Sequence, residues 1–175
     1  MKTHTLKTEI WLPEKQTTVF AFFSDPRNLE ALTPGWLHFK ILNPLPLAMK
    51  SGALIDYRLR LYGIPLYWQS EISVWEPPDC FVDRQVRGPY RLWIHKHTFG
   101  ELNGGTLVGD TVEYAAPGGI LAQKLFLARD LKRIFAYRHA RLRQRFGGAD
   151  PQDPTAFKKS HSPSEDENSS FIKLR

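Results

Sequence analysis

The sequence predicts an α+β fold: seven antiparallel strands, two short helices near the N-terminus, and one long helix closing the domain. Three observations lead there. One strand is followed at once by two short helical segments, before any hairpin. A run of strands joined by turn residues then extends to about residue 114. Last comes an unbroken helical pattern from Gly119 to Phe146, with no proline inside it.

The first strand, residues 4–12, alternates Leu6, Thr8, Ile10 and Leu12 against Lys7, Glu9 and Trp11, and Pro13 ends it. Glu14 to Phe23 is a short helix whose buried side is Val19, Phe20, Phe22 and Phe23. Ser24-Asp25-Pro26 stops it, and Asp25 with Pro26 starts a second helix running through Leu32. Pro34-Gly35 ends that one, and Trp36–Leu42 is taken as the second strand.

Ala53–Leu61 and Leu66–Trp75 form the next hairpin. With Gly63-Ile64 as a two-residue turn, Leu59 faces Trp68, Tyr57 faces Ser70 and Ile55 faces Ile72. The same register puts Arg58, Arg60 and Glu71 on the opposite, charged face. Cys80–Arg87 and Arg91–Leu102 are strands around Gly88-Pro89. Asn103-Gly104 is a strong two-residue turn signal leading into Thr106–Tyr114. Counting from that turn sets Phe99 opposite Val108, His97 opposite Asp110, His95 opposite Val112 and Trp93 opposite Tyr114.

The final helix spans about 40 Å at ~1.5 Å per residue. Leu121, Leu125, Ala128, Phe135, Leu142 and Phe146 form an apolar stripe that Leu127, Leu131 and Ile134 widen. The other side carries eight bases, Lys124, Arg129, Lys132, Arg133, Arg138, Arg141, Arg143 and Arg145, against one acid, Asp130. That helix accounts for the net charge of +6, so the rest of the chain is close to neutral. Such a stripe is expected to be a solvated face rather than a nucleic-acid surface, with membrane contact at most transient.

The 175 residues, 42% hydrophobic and 24% charged, suit one domain with a substantial core. The single cysteine, Cys80, excludes an internal disulfide and any multi-cysteine zinc site. The N-terminus lacks a signal peptide's apolar segment and no run reaches transmembrane length, so a cytoplasmic location is expected. Residues 1–146 are assigned to the domain and residues 147–175, polar and poor in apolar side chains, to a disordered tail. Deleting residues 150–175 is therefore expected to change the melting temperature by less than about 4 °C, checked by calorimetry on the truncated chain.

With these elements in place the chain resembles the START-like (SRPBCC) superfamily, in particular its polyketide cyclase/dehydrase and coenzyme Q-binding branch. Phe22-Phe23-Ser24-Asp25-Pro26 with Asn28-Leu29 and Leu32-Thr33-Pro34 carry the resemblance, as do Trp75-Glu76-Pro77-Pro78 with Phe81 and Asp83. Gly88-Pro89-Tyr90, the Trp93-x-His95-x-His97-x-Phe99 run, and Asp110 with Tyr114 and Pro117 complete it. The resemblance implies a helix-grip fold, with a curved sheet gripping the long helix around a cavity for an apolar ligand. It supplies no catalytic set that maps onto this chain.

Trp93, His95, His97 and Phe99 share one face of their strand, and Asp110 joins them across the Asn103-Gly104 hairpin. The histidines either form a hydrogen-bonded polar core with Asp110 or line a cavity and recognise a ligand carbonyl or hydroxyl. In an enzyme, His97 and Asp110 are the catalytic candidates, the carboxylate orienting the ring for proton transfer. Metal binding by His95, His97 and Asp110 is the least supported reading, and no metal or cofactor is assigned. Asp83 and Gln85 join this face only if the Gly88-Pro89 connection has an odd offset. Tyr57, Leu59, Trp68, Ser70, Trp93, Phe99 and Tyr114 complete the candidate ligand-binding set, each alternatively a core-packing residue. No phosphate loop, Rossmann fingerprint or Gly-x-Ser-x-Gly elbow is present. The expected partner is a hydrophobic small molecule such as a lipid, quinone or polyketide-like ring, with a cyclase/dehydratase or a regulatory interaction protein as the alternatives.

Overall fold

The computed structural model describes residues 2–115, 128–149 and 151. Strand β1 (His4–Leu12) leads into helices α1 (Gln16–Phe23) and α2 (Pro26–Ala31). The strands β2 (Lys40–Ile41), β3 (Leu54–Leu61), β4 (Ile64–Glu76), β5 (Cys80–Arg87), β6 (Leu92–Leu102) and β7 (Gly105–Ala115) follow, then helix α3 (Ala128–Phe146). All seven strands form one antiparallel sheet in the order β1-β7-β6-β5-β4-β3-β2. Each hairpin pairs with the next, and β1 closes the series by pairing along β7 from His4↔Tyr114 to Leu12↔Thr106. Among the described residues no helix is long and apolar enough to cross a membrane.

Local chemistry explains the helical corner. The Asp25 side chain accepts the Arg27 backbone N–H at 3.0 Å, with Pro26 in the first helical turn of α2. Asn28 Nδ2 donates to the Phe22 carbonyl at 2.9 Å and ties α2 to the end of α1. Helix α1 buries Val19 and Phe20, and the Phe20 ring sits 5.2–6.1 Å from Trp75, Phe81 and Phe99. The helices thereby close one end of the sheet.

The strand expected over Trp36–Leu42 is mostly absent. Gly35–Leu37 is a 3-10 turn, His38 is left-handed at φ 44°, and only Lys40–Ile41 pairs with β3. Trp36 is drawn away from the sheet: its ring lies 5.9 Å from Tyr137 and under Arg133, whose guanidinium carbon is 5.2 Å from the ring centre.

The β6–β7 hairpin has the register counted from Asn103-Gly104, with His97 opposite Asp110 and Trp93 opposite Tyr114. Asn103 and Gly104 have φ of 49° and 75°, as a type I′ turn requires. The β3–β4 register is displaced by two residues from expectation. Tyr62 and Gly63 form the turn, at φ 52° and 79°, so Leu59 pairs with Leu66, Tyr57 with Trp68 and Ile55 with Ser70. A Gly63-Ile64 turn would have set Tyr62 opposite Pro65 at the hydrogen-bonded pair that closes the hairpin, where Pro65 has no N–H to donate. The even displacement preserves the faces: Tyr57, Leu59, Trp68 and Ile72 are buried, and Arg58 and Arg60 are exposed.

Two irregularities in the β4–β5 ladder, at Gln69/Ser70 and Ile72/Val74, bend the sheet. Strand β5 pairs Phe81 with His97 and Asp83 with His95, so Asp83 does face the histidines. Gln85 does something else. Its amide donates to the Tyr90 carbonyl at 2.7 Å and accepts the Tyr90 N–H at 3.2 Å, stapling the connection to β6.

The expected helix start at Gly119, and with it Leu121, Lys124, Leu125 and Leu127, lies outside the described residues. Over its described length α3 turns Leu131, Phe135, Arg138 and Leu142 inward. Arg129, Lys132, Arg133, Arg141, Arg143 and Arg145 are exposed. Gly147, at φ 74°, ends the helix by donating its N–H to the Arg143 carbonyl at 2.8 Å. Ala149 then exchanges backbone hydrogen bonds of 3.0 and 2.9 Å with Trp11, holding the end of α3 against β1. Between them, a Cβ on Gly148 would lie 2.8 Å from the Trp11 carbonyl oxygen and 2.5 Å from Leu12 Cδ2. Gly148→Ala is expected to destabilise the fold by about 1–3 kcal/mol, read as a lower denaturation midpoint in urea.

Candidate ligand-binding site

A cavity of about 200 Å³ lies between the concave face of the sheet and α3. Its walls are apolar. Leu131, Ile134 and Phe135 come from α3, Leu29 and Leu32 from the α2 corner, and Ile55, Tyr57, Leu59, Trp68 and Ile72 from β3 and β4. Tyr90 and Trp93 form another side, their rings 4.8 Å apart and 5.3 and 5.2 Å from Trp68. Ser70 fixes two of these aromatics. Its Oγ accepts the Trp68 indole N–H at 3.1 Å and hydrogen-bonds the Tyr57 hydroxyl at 2.9 Å, which sets the two rings in a stack. Burial, followed by the nearby Asp83 charge, raises the Tyr57 hydroxyl well above its ordinary pKa, so it stays a neutral donor or acceptor.

One end of the cavity is polar and built from three strands and a helix. Alternation along β6 presents His95 and His97 on the face Trp93 also occupies. The hairpin to β7 sets Asp110 behind them, 2% exposed, and β5 sets Asp83 in front, its side chain 16% exposed. His95 Nε2 is 2.8 Å from Asp110 Oδ1, and His97 Nε2 is 3.3 Å from Asp83 Oδ2. His97 Nδ1 also lies 2.9 Å from Asp110 Oδ1, close enough for an ion pair but out of line for a hydrogen bond. Arg138 completes the group from α3, with one guanidinium nitrogen 3.3 Å from the same oxygen.

Arg138 corrects the sequence-based assignment, which placed it on the solvated face of the helix. It is 8% exposed, and its guanidinium carbon stands 5.9 Å from the centre of the Phe23 ring and 5.5 Å from that of Phe135. The spacing carries the signal. Leu131, Phe135, Arg138 and Leu142 follow one another at steps of four, three and four, so a cation occupies a core position of the stripe.

The electrostatics of the five groups are interdependent. Burial alone would raise the Asp110 carboxyl, but the Arg138 charge and the contacts to His95 and His97 outweigh it and hold the group well below the ordinary carboxylate value. Asp83 follows the same pattern: burial raises it, while the His97 contact and the surrounding cations bring it below its ordinary value. Burial pushes His95 down, the charge on His97 adds to that, and the carboxylates do not compensate. His97 is buried too, yet its contacts to Asp110 and Asp83 raise it. The arrangement therefore favours two carboxylates balanced by Arg138 and a protonated His97, with His95 neutral.

Of the residues singled out in the sequence, Tyr57, Leu59, Trp68, Ser70, Trp93, His95 and His97 line the cavity. Asp110 stands behind the histidines. Phe99 packs with Phe20, Phe23 and Phe81, and Tyr114 lies tilted against His4 and meets the edge of Tyr90. Asp83, a conditional candidate in the sequence, joins them through the offset of the β5–β6 pairing, and Arg138 is the addition that only the fold supplies.

The architecture has counterparts among solved structures. The Zhui aromatase/cyclase from a Streptomyces species superimposes with a TM-score of 0.65 at 11% identity, over 82% of this chain and 93% of that one. Protein CV1439 from Chromobacterium violaceum gives 0.63 at 15% identity, covering 82% and 97%, and major latex-like protein 151 from Panax ginseng gives 0.61 at 11%, covering 82% and 97%. No family model matches the sequence, and no curated protein matches it. At these identities the likeness is one of fold: the chain shares with these structures the helix-grip architecture, a curved seven-stranded sheet against a C-terminal helix.

Proposed function

We propose that the protein binds or transfers a hydrophobic small molecule carrying a carbonyl or hydroxyl, of lipid, quinone or polyketide-like chemistry, in the cytoplasm. The observation that carries this reading is the cavity itself, about 200 Å³ of ring-lined space with one charge-balanced polar end. A dry cavity of about 150 Å³ takes a single benzene, so this one suits a ligand portion of one or two rings rather than a whole sterol. Burying about 200 Å² of ligand at ~25 cal/mol per Å² gives on the order of 5 kcal/mol before association costs, so micromolar binding also needs good polar pairing at the histidine end. The open cavity favours this reading over a regulatory interaction protein with a filled core.

Trp68 and Trp93 make the test direct. A panel of quinones, short acyl chains and aromatic polyketides is expected to include a member that changes tryptophan fluorescence saturably. Leu59→Arg places a charge in the wall and abolishes that change while circular dichroism stays native. Absence of binding across the panel counts against the reading.

A second reading is a cyclase or dehydratase. One observation favours it: His97 lines the cavity with Asp83 and Asp110 both in contact, which keeps its protonated form available to a ligand carbonyl. In that case His97→Gln retains ligand binding and loses turnover. Equal loss of both leaves His97 a binding residue only.

A further inference from the structure

We propose that Asp83, His95 and His97 form a binding site for one first-row divalent metal ion at the polar end of the cavity. Oδ2 of Asp83 lies 3.6 Å from His95 Nδ1 and 3.3 Å from His97 Nε2, and no two of the three donor atoms are more than 4.8 Å apart. Bonds of ~2.0–2.1 Å to a tetrahedral ion set neighbouring ligand atoms about 3.3 Å apart, so the Asp83–His97 edge already has that length and the Asp83–His95 edge, at 3.6 Å, is slightly longer. Two imidazoles and one carboxylate are also a donor set that zinc, cobalt and iron accept, the ion displacing the proton that His97 otherwise holds.

The outer contacts point the same way. The ring nitrogens turned away from Asp83, His95 Nε2 and His97 Nδ1, both lie against one oxygen of Asp110, at 2.8 and 2.9 Å. A buried carboxylate behind each metal-binding imidazole fixes the ring so that its other nitrogen faces the ion. Asp110 does this for His95 through a hydrogen bond, and its charge lies against His97 Nδ1 out of line for one. Its own charge is met by Arg138 at 3.3 Å.

Since Asp83, His95 and His97 all line the cavity, the remaining coordination positions face the space where a ligand oxygen would lie. Bound there, the ion polarises that oxygen as a Lewis acid.

The test uses the full chain, stripped with a chelator and titrated with Co²⁺, then Zn²⁺. One Co²⁺ per chain is expected, with visible d–d bands that Zn²⁺ abolishes by displacement. Asp83→Asn, His95→Ala and His97→Ala should each weaken uptake at least 10-fold, Asp110→Asn by about 10–100-fold, and His38→Ala not at all. Should the histidine variants fail to fold, X-ray absorption on the zinc-loaded wild type decides, with two imidazoles in the coordination shell expected. No uptake by the folded chain overturns the site. So does uptake that Asp83→Asn leaves unchanged, or a shell with fewer than two imidazoles. A chain that binds an apolar ligand but no metal refutes only the metal site; one that binds metal and no apolar ligand refutes only the proposed function.

Discussion

Asp110→Ala is expected to destabilise the protein by about 3–5 kcal/mol, lowering the melting temperature by roughly 6–20 °C for a domain of this size. Asp110 is 2% exposed and touches His95, His97 and Arg138 together. Its removal leaves the Arg138 guanidinium, 8% exposed, without the carboxylate that it meets at 3.3 Å. The dominant cost is that stranded cation rather than the lost contacts. A double-mutant cycle separates the two. In Asp110→Leu/Arg138→Met both opposed charges disappear into apolar side chains, so the double variant should lose at least about 1 kcal/mol less than the sum of its singles. Additive losses, or a cost below about 1 kcal/mol for Asp110→Ala in urea denaturation, would show that the network is not organised around this carboxylate.

The ease with which parts of this arrangement can be read from sequence varies for physical reasons. The His97–Asp110 pairing is legible because Asn103-Gly104 permits essentially one hairpin, and every register downstream follows from it. Gly63 is compatible with two adjacent turns. Tyr62-Gly63 is chosen because the alternative puts Pro65, which has no N–H, in the hydrogen-bonded pair that closes the turn, and the hydrophobic pattern does not register this because both options keep the same faces. Asp83 has no such local signal. The segment between β5 and β6 is irregular and stapled by Gln85 to Tyr90, so the partner of His95 is decided by tertiary structure. Arg138 differs again: its stripe position is visible at helical spacing, but its charge suggests the opposite face until a buried carboxylate is known to be waiting for it. The Trp36 segment departs from its strand pattern because a half-exposed indole gains more from Arg133 and Tyr137 on α3 than from the sheet edge.

Phe135→Ala should cost about 3 kcal/mol, or roughly 6–12 °C in melting temperature, and should widen the range of ligands accepted. Phe135 is 5% exposed and forms part of the cavity wall on α3, its ring edge-on to His95 at 5.5 Å and under the Arg138 guanidinium at 5.5 Å. Phenylalanine truncation in a closed core costs about 3–5 kcal/mol, and the lower end applies here because one side of the ring already borders open space. The removed ring enlarges the cavity by about its own volume, so ligands with one ring more than the wild type accepts should now bind. A ligand at 100 times its dissociation constant returns about 2.7 kcal/mol, nearly restoring the melting temperature of the variant. Leu142→Ala is the control. Leu142 is fully buried on the same helix but does not line the cavity, so its truncation should cost about 2–5 kcal/mol without admitting the larger ligands. Thermal unfolding of both variants with the fluorescence panel checks the pair. If Leu142→Ala gains the same new ligands, or Phe135→Ala gains none, the space between Phe135 and the histidines is not where the ligand sits.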